Sequence, residues 1–190
     1  MLDSLWRVTR TRPARAVYEA LAARDLKAAT MLLYARGGVP EPPSTEGVSF
    51  ARWTGGAGPD EAFEELEPGD EALVALCEGR YAGRVFLSNR PVFVPAIDER
   101  VDREGAYVWR LFVDPAFRGR GVATALVARG LELSRERFGT DGGYALVARD
   151  NYPSRWTFEA TGFGATERVD YWRIREWSRR RWFEVEGSGT

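Results

Sequence analysis

Apolar and polar residues along this chain fall into short blocks whose period switches between two and three-to-four. Val48-Ser49-Phe50-Ala51-Arg52-Trp53 alternates as a half-exposed strand does. Apolar runs over about 72–78 and 81–88, joined by Glu78-Gly79-Arg80, predict two strands and a hairpin turn. A further apolar run covers 106–113, and Gly142 to Ala148 reads as a buried strand. Helical spacing covers 119–138, Asp60 to Leu66 and Pro153 to Thr161, and 164–177 supplies one or two closing strands. Nearer the start, Pro13 opens a helix to about Ala23, and Asp25 caps a second one through Tyr34, ended by Gly37-Gly38 and Pro40. Gly38 to Ser44 is a Pro/Gly linker, and Gly187 to Thr190 is a frayed tail. Pro91 and Pro95 interrupt the stretch before a charged loop, Asp98 to Gly105.

The order β-α-β-β-β-α-β-α-β(-β) predicts an α/β fold, a mixed sheet with helices on its faces. It divides the chain into a basic helical extension (1–38), a main domain (46–180) and a tail (181–190).

Composition narrows the chemistry mainly by what is missing. The 190 residues include no histidine, so histidine triads, imidazole bases and the usual zinc catalytic sites are excluded. Cys77 is the sole cysteine and lies in an apolar strand, where it reads as a small buried hydrophobe. No metal is implied. A net charge of −1 gives no reason to expect nucleic acid as a partner. With no apolar run long enough to span a bilayer and no signal-peptide core, the expected location is cytoplasmic. Charge is uneven, however. Arg7, Arg10, Arg12, Arg15, Arg24, Lys27 and Arg36 outnumber Asp3, Glu19 and Asp25, leaving the remainder acidic. A basic segment over 1–36 fits peripheral contact with a membrane or acidic polymer, and equally a helical pair packed on the domain. If it were an adaptor, deleting 1–36 would abolish localisation and leave ligand affinity intact.

The densest signal is Arg118-Gly119-Arg120-Gly121-Val122-Ala123, between the strand ending at Val113 and the helix from Thr124. The first turn of a helix carries unpaired N–H groups and a partial positive charge, and glycines let an anion approach that backbone. A polyphosphate cofactor is the expectation. A P-loop would need a lysine here, and Lys27 is far away. A Rossmann turn would need three glycines early in a βαβ unit, and this turn has two after several strands.

Leu111-Phe112-Val113-Asp114-Pro115 followed by Arg118-Gly119-Arg120-Gly121-Val122-Ala123 resembles motif A of the GCN5-related N-acetyltransferases. Asn151, followed after eleven-residue helical spacing by Gly162-Phe163, resembles the same family's motif B. The resemblance covers about 46–178. It implies an acetyl-CoA N-acyltransferase fold and, as co-substrate, acetyl-CoA. The pyrophosphate would rest on backbone N–H groups of Arg118, Gly119, Arg120, Gly121, Val122 and Ala123, with Thr124 close by. The pantetheine arm would pair like a strand with Leu111, Phe112 and Val113, which needs the two central parallel strands to splay. Asn151 would hydrogen-bond that arm, with Ser154 and Phe158 near it and Trp156 on the cofactor side or in the core.

The resemblance implies direct attack of an amine on the thioester in a ternary complex. The acceptor is left open between a small molecule and a protein amine, and so is the oligomeric state, a homodimer included. The family's general-acid tyrosine falls here on Phe158, which has no proton to give. Tyr152 is a substitute for it, and the base position falls near Tyr107, with Glu104 the nearest carboxylate. Water-mediated deprotonation is the other route. These departures keep a second reading open, a non-catalytic acyl-CoA sensor or partner module. Arg110 would either face an anionic acceptor or pair with a neighbouring carboxylate, and the loop carrying Pro91, Phe93 and Pro95 would shape the acceptor pocket.

Overall fold

The computed structural model describes residues 26–56 and 58–185. The helix expected from Pro13 and the tail from Gly187 lie outside the described residues. Within them, the chain runs β1 (Leu26–Gly37), β2 (Val48–Arg52), β3 (Glu71–Cys77), β4 (Arg80–Ser88), β5 (Val92–Val94) and β6 (Glu99–Val101). It continues with β7 (Ala106–Val113), α1 (Val122–Phe138), β8 (Gly142–Ala148), α2 (Tyr152–Ala160), β9 (Gly164–Ile174) and β10 (Trp177–Glu184). Eight strands make one sheet in the order β10-β9-β1-β8-β7-β4-β3-β2, and β5 and β6 form a separate hairpin. Neighbours in the large sheet are antiparallel except β7 and β8. The mixed sheet flanked by helices is the expected architecture.

One element differs in kind. The helix expected from Asp25 through Tyr34 is strand β1, inserted between β8 and β9, with Leu33 opposite Leu146 on one side and Glu167 on the other. The run Met31-Leu32-Leu33-Tyr34 is buried on both faces of the sheet. A strand covered on both faces is continuously apolar, a pattern that a buried helix shares, and the Ala, Leu and Met content favoured helix by propensity alone. Smaller differences follow. Asp60 to Leu66 forms a 3-10 turn, Glu61–Glu65, with Asp60 accepting from the Ala62 N–H at 3.0 Å. Part of the charged loop is strand β6, and β10 continues through Glu184, past the expected boundary at 180.

Two apolar layers hold the sheet. On one face, Leu126 and Leu131 of α1 pack with Val85, Leu87 and Val108, and Phe158 of α2 joins them. On the other, the β5–β6 hairpin lays Val92, Val94, Ile97 and Val101 over Tyr107, Tyr144 and Tyr171. Beside it, Phe63 of the 3-10 turn meets Phe86 edge-on, with ring centroids 5.0 Å apart.

Where β7 meets β8, Gly143 permits the close approach. A Cβ there would stand 2.6 Å from the Ala106 carbonyl oxygen and 2.8 Å from a Leu131 methyl carbon. This crossing is the hinge of the site.

Candidate active site

The parallel contact between β7 and β8 is confined to Ala106 with Gly143 and Tyr107 with Tyr144. Beyond Tyr107 the strands diverge, so the backbone edges of Val108–Val113 and Ala145–Ala148 face a gap rather than each other. Pairing of β7 with β4 also breaks, because Trp109 matches Phe86 and Phe112 matches Arg84, leaving Arg110 and Leu111 opposite Val85 alone. Arg110 sits in the left-handed region at φ 50°, a conformation that strains a non-glycine residue and marks the bulge that turns β7 away from β8. The gap is a cavity of about 400 Å³, walled by Met31, Trp109, Leu111, Leu146, Asn151 and Phe158 among others. An extended chain with its own donors and acceptors fits there by completing the open strand edges.

The glycine-spaced turn connects the end of β7 to the start of α1. Gly119 and Gly121 hold φ of 77° and 74°, where any side chain would be strained. Gly121 caps α1 without a side-chain hydrogen bond, and the first turn carries no acidic residue. The helix therefore presents unshared N–H groups to solvent, as an anion site requires. The side chains stay clear of that position. Arg118 Nε donates to the Val113 carbonyl oxygen at 3.0 Å, and Arg120 lies over the Phe117 ring at 5.9 Å. Thr124 Oγ1 donates back to the Gly121 carbonyl at 2.7 Å. The turn thus offers backbone N–H groups with arginine charge nearby.

The second wall comes from the start of α2. Asn151 Nδ2 donates to Ser154 Oγ at 2.9 Å, and both line the cavity. Phe158, also on the wall, stacks on Tyr34 with centroids 6.2 Å apart and meets Phe163 edge-on at 5.1 Å. Burial, and then the hydrogen bond it donates to Glu159, raise the Tyr34 hydroxyl above the usual tyrosine range. Trp156 belongs neither to the core nor to the cavity wall. It is 54% exposed, beside Tyr152.

The groups expected to move protons are dispersed. Tyr107 is the last paired residue of the β7–β8 contact and packs against Tyr144 at 5.2 Å. Burial, with the neighbouring Tyr144, pushes its hydroxyl far above the ordinary range. Glu104 is exposed, two residues before β7, at the closed end of the gap. Tyr152 opens α2 beneath the Arg155 guanidinium, 5.2 Å away. None of the three is on the cavity wall. Arg110 takes the paired alternative, with Nε and Nη2 both on Glu65 at 2.8 and 2.5 Å. The wall also holds residues that sequence reasoning passed over: Met31, Trp109, Leu146 and Arg84. Arg84 alone carried a signal, a charge inside the apolar strand run.

Comparison with known proteins agrees with this geometry. A family model described as the acetyltransferase (GNAT) family matches residues 40–163. An aminoglycoside N(6')-acetyltransferase type 1 from Salmonella typhimurium is 34% identical over 129 residues, 62% of this chain and 82% of that protein. The solved GCN5-related N-acetyltransferase from Kribbella flavida has a TM-score of 0.58 at 11% identity, covering 86% of this chain and 73% of its own. A tandem GNAT protein from the clavulanic acid biosynthesis pathway has a TM-score of 0.52 at 20% identity, over 90% of this chain and 59% of its own. At those identities the solved structures speak to the fold alone. No described helix is long and apolar enough to cross a membrane. Since the glycine-spaced turn, the diverging strands and Asn151 with Gly162-Phe163 all fall inside the matched span, the chain belongs to the GNAT family, enzymes that transfer an acyl group from acetyl-CoA to an amine.

Proposed function

We propose that the gap between β7 and β8 holds the acetyl-CoA thioester, with the pyrophosphate on the Arg118–Ala123 backbone and a primary amine arriving from the face that carries Trp109 and Met31. The observation that carries this reading is the coincidence of two open backbone surfaces. An uncapped, glycine-opened helix start follows β7 in the chain, and β7 pairs with its parallel neighbour β8 only at Ala106 and Tyr107. When bound, acetyl-CoA supplies a thioester whose carbonyl carbon accepts the amine nitrogen while the C–S bond breaks.

The residues of this chain position and polarise. Leu111, at the β7 bulge, offers a backbone N–H for the developing oxyanion. Asn151 and Ser154 fix the extended arm, and Phe158 with Leu111 excludes water from one side. With no tyrosine or carboxylate among the wall residues, the amine's proton goes to solvent. The enzyme then forgoes general acid–base assistance, typically worth ~10²–10⁴-fold. We place the protein in the cytoplasm, where the co-substrate is available.

Isothermal titration with acetyl-CoA checks the donor site. The unmutated protein binds, and Gly121→Glu, which puts a carboxylate and left-handed strain at the helix start, lowers affinity at least tenfold while the thermal unfolding midpoint stays within a few degrees. Unchanged affinity in Gly121→Glu would remove the pyrophosphate from this turn.

A further inference from the structure

The acceptor side of the cavity has a charge character that separates classes of amine. Among the residues on its wall, the charged ones are Arg84 and Arg110, and no carboxylate is present. Glu65 occupies both the Nε and Nη2 of Arg110. Arg84 is different. It is 8% exposed, on β4 opposite Phe112 and on the same side of the sheet. Its Nη1 donates to Asp60 and, at 3.1 Å, to the Tyr81 hydroxyl, which itself donates to Asp60 at 2.9 Å. Aromatic rings fix the guanidinium plane, with Phe112 at 5.0 Å and Phe86 at 5.5 Å. The opposite edge is unfilled. Nε is buried without a hydrogen-bond partner, and among the described residues Nη2 has none either.

Nε and Nη2 together form the side-on fork that takes a carboxylate or phosphate through two parallel bonds. A buried, rigidly held guanidinium with that edge empty is costly unless something fills it. We propose that Arg84 recognises an anionic group carried by the acceptor, which makes the acceptor a primary amine bearing a carboxylate or phosphate. Amino acids and amino phosphates satisfy this wall. Polycations such as aminoglycosides, the acceptors in the Salmonella relative's name, would find two guanidinium groups on this wall and no carboxylate, because Asp60 and Glu65 lie off the wall and are already engaged by those arginines.

This inference rests on the transferase reading, and its test separates the two. Matched pairs are titrated by calorimetry with and without saturating coenzyme A: L-amino acids against their carboxamides, and phosphoethanolamine against ethanolamine. At least one anionic member binds tenfold or more tightly than its uncharged counterpart, and the pair that responds distinguishes carboxylate from phosphate. Arg84→Gln erases the preference and Arg84→Lys keeps part of it, while coenzyme A affinity stays within twofold in both, which shows that the fold survives. No preference in any pair, or a preference that persists in Arg84→Gln, overturns the inference. A protein that shows the preference yet does not bind coenzyme A overturns the transferase reading alone.

Discussion

Glu71 shows how single residues close this structure. It is 6% exposed on β3, and receives Arg52 of β2 and, at 2.9 Å, Arg137 of α1. Burial alone would raise its carboxyl, but the hydrogen bonds from Arg52 and Arg137 outweigh that and hold it below the usual range. A carboxyl lowered in the folded state adds stability that is present above the unfolded value of ~4.3 and is lost as pH falls through the folded one. Glu71→Gln is therefore expected to cost about 1.5–3 kcal/mol at pH 7. Its difference from the unmutated protein should shrink toward pH 3, as read by thermal unfolding across that range. A pH-independent difference would assign the loss to packing instead. Residues of this kind are only partly legible in a sequence. Cys77 read as a buried hydrophobe from its strand, and it is buried. The unfilled edge of Arg84 could not be read, because it depends on Asp60 and Tyr81 reaching the same nitrogen from different elements.

At the scale of elements, short-range pattern carried most of the fold. Strands β3, β4, β7 and β8 and helix α1 lie where the periodicity put them, and Gly121 and Gly139 bracket the helix in left-handed conformations. The exception is β1. Its two buried faces erase the alternation by which a strand is recognised, and its partners β8 and β9 lie more than 100 residues away, beyond any local signal. The mistake changes an experiment. Deleting 1–36, expected to spare ligand affinity, would strip a strand from between β8 and β9. A chain beginning at Gly37 is predicted to lose its cooperative thermal transition and its acetyl-CoA binding together. If it retained both, β1 would be dispensable and its place in the sheet would be wrong.

Over the whole molecule, the proposed site divides into a donor half built from backbone and an acceptor half built from side chains. The elements that frame the proposed donor half, β7 and the start of α1, could be read because helix starts and strands are set by glycine spacing and apolar runs. The acceptor wall could not, because Met31, Arg84, Trp109 and Leu146 come from four different strands and meet only after the sheet forms. In the proposed mechanism, catalysis without a wall-mounted acid or base would rest on positioning and backbone polarisation, which is worth more than a single proton transfer when the reactants are well aligned. The most direct test is release of coenzyme A thiol from acetyl-CoA, followed continuously while a broad set of primary amines is supplied. The account predicts amine-dependent thiol release, first order in the unprotonated amine and therefore rising with pH toward the amine's own pKa. Tight acetyl-CoA binding with no thiol release from any amine would contradict it, and would make the chain an acyl-CoA-binding module.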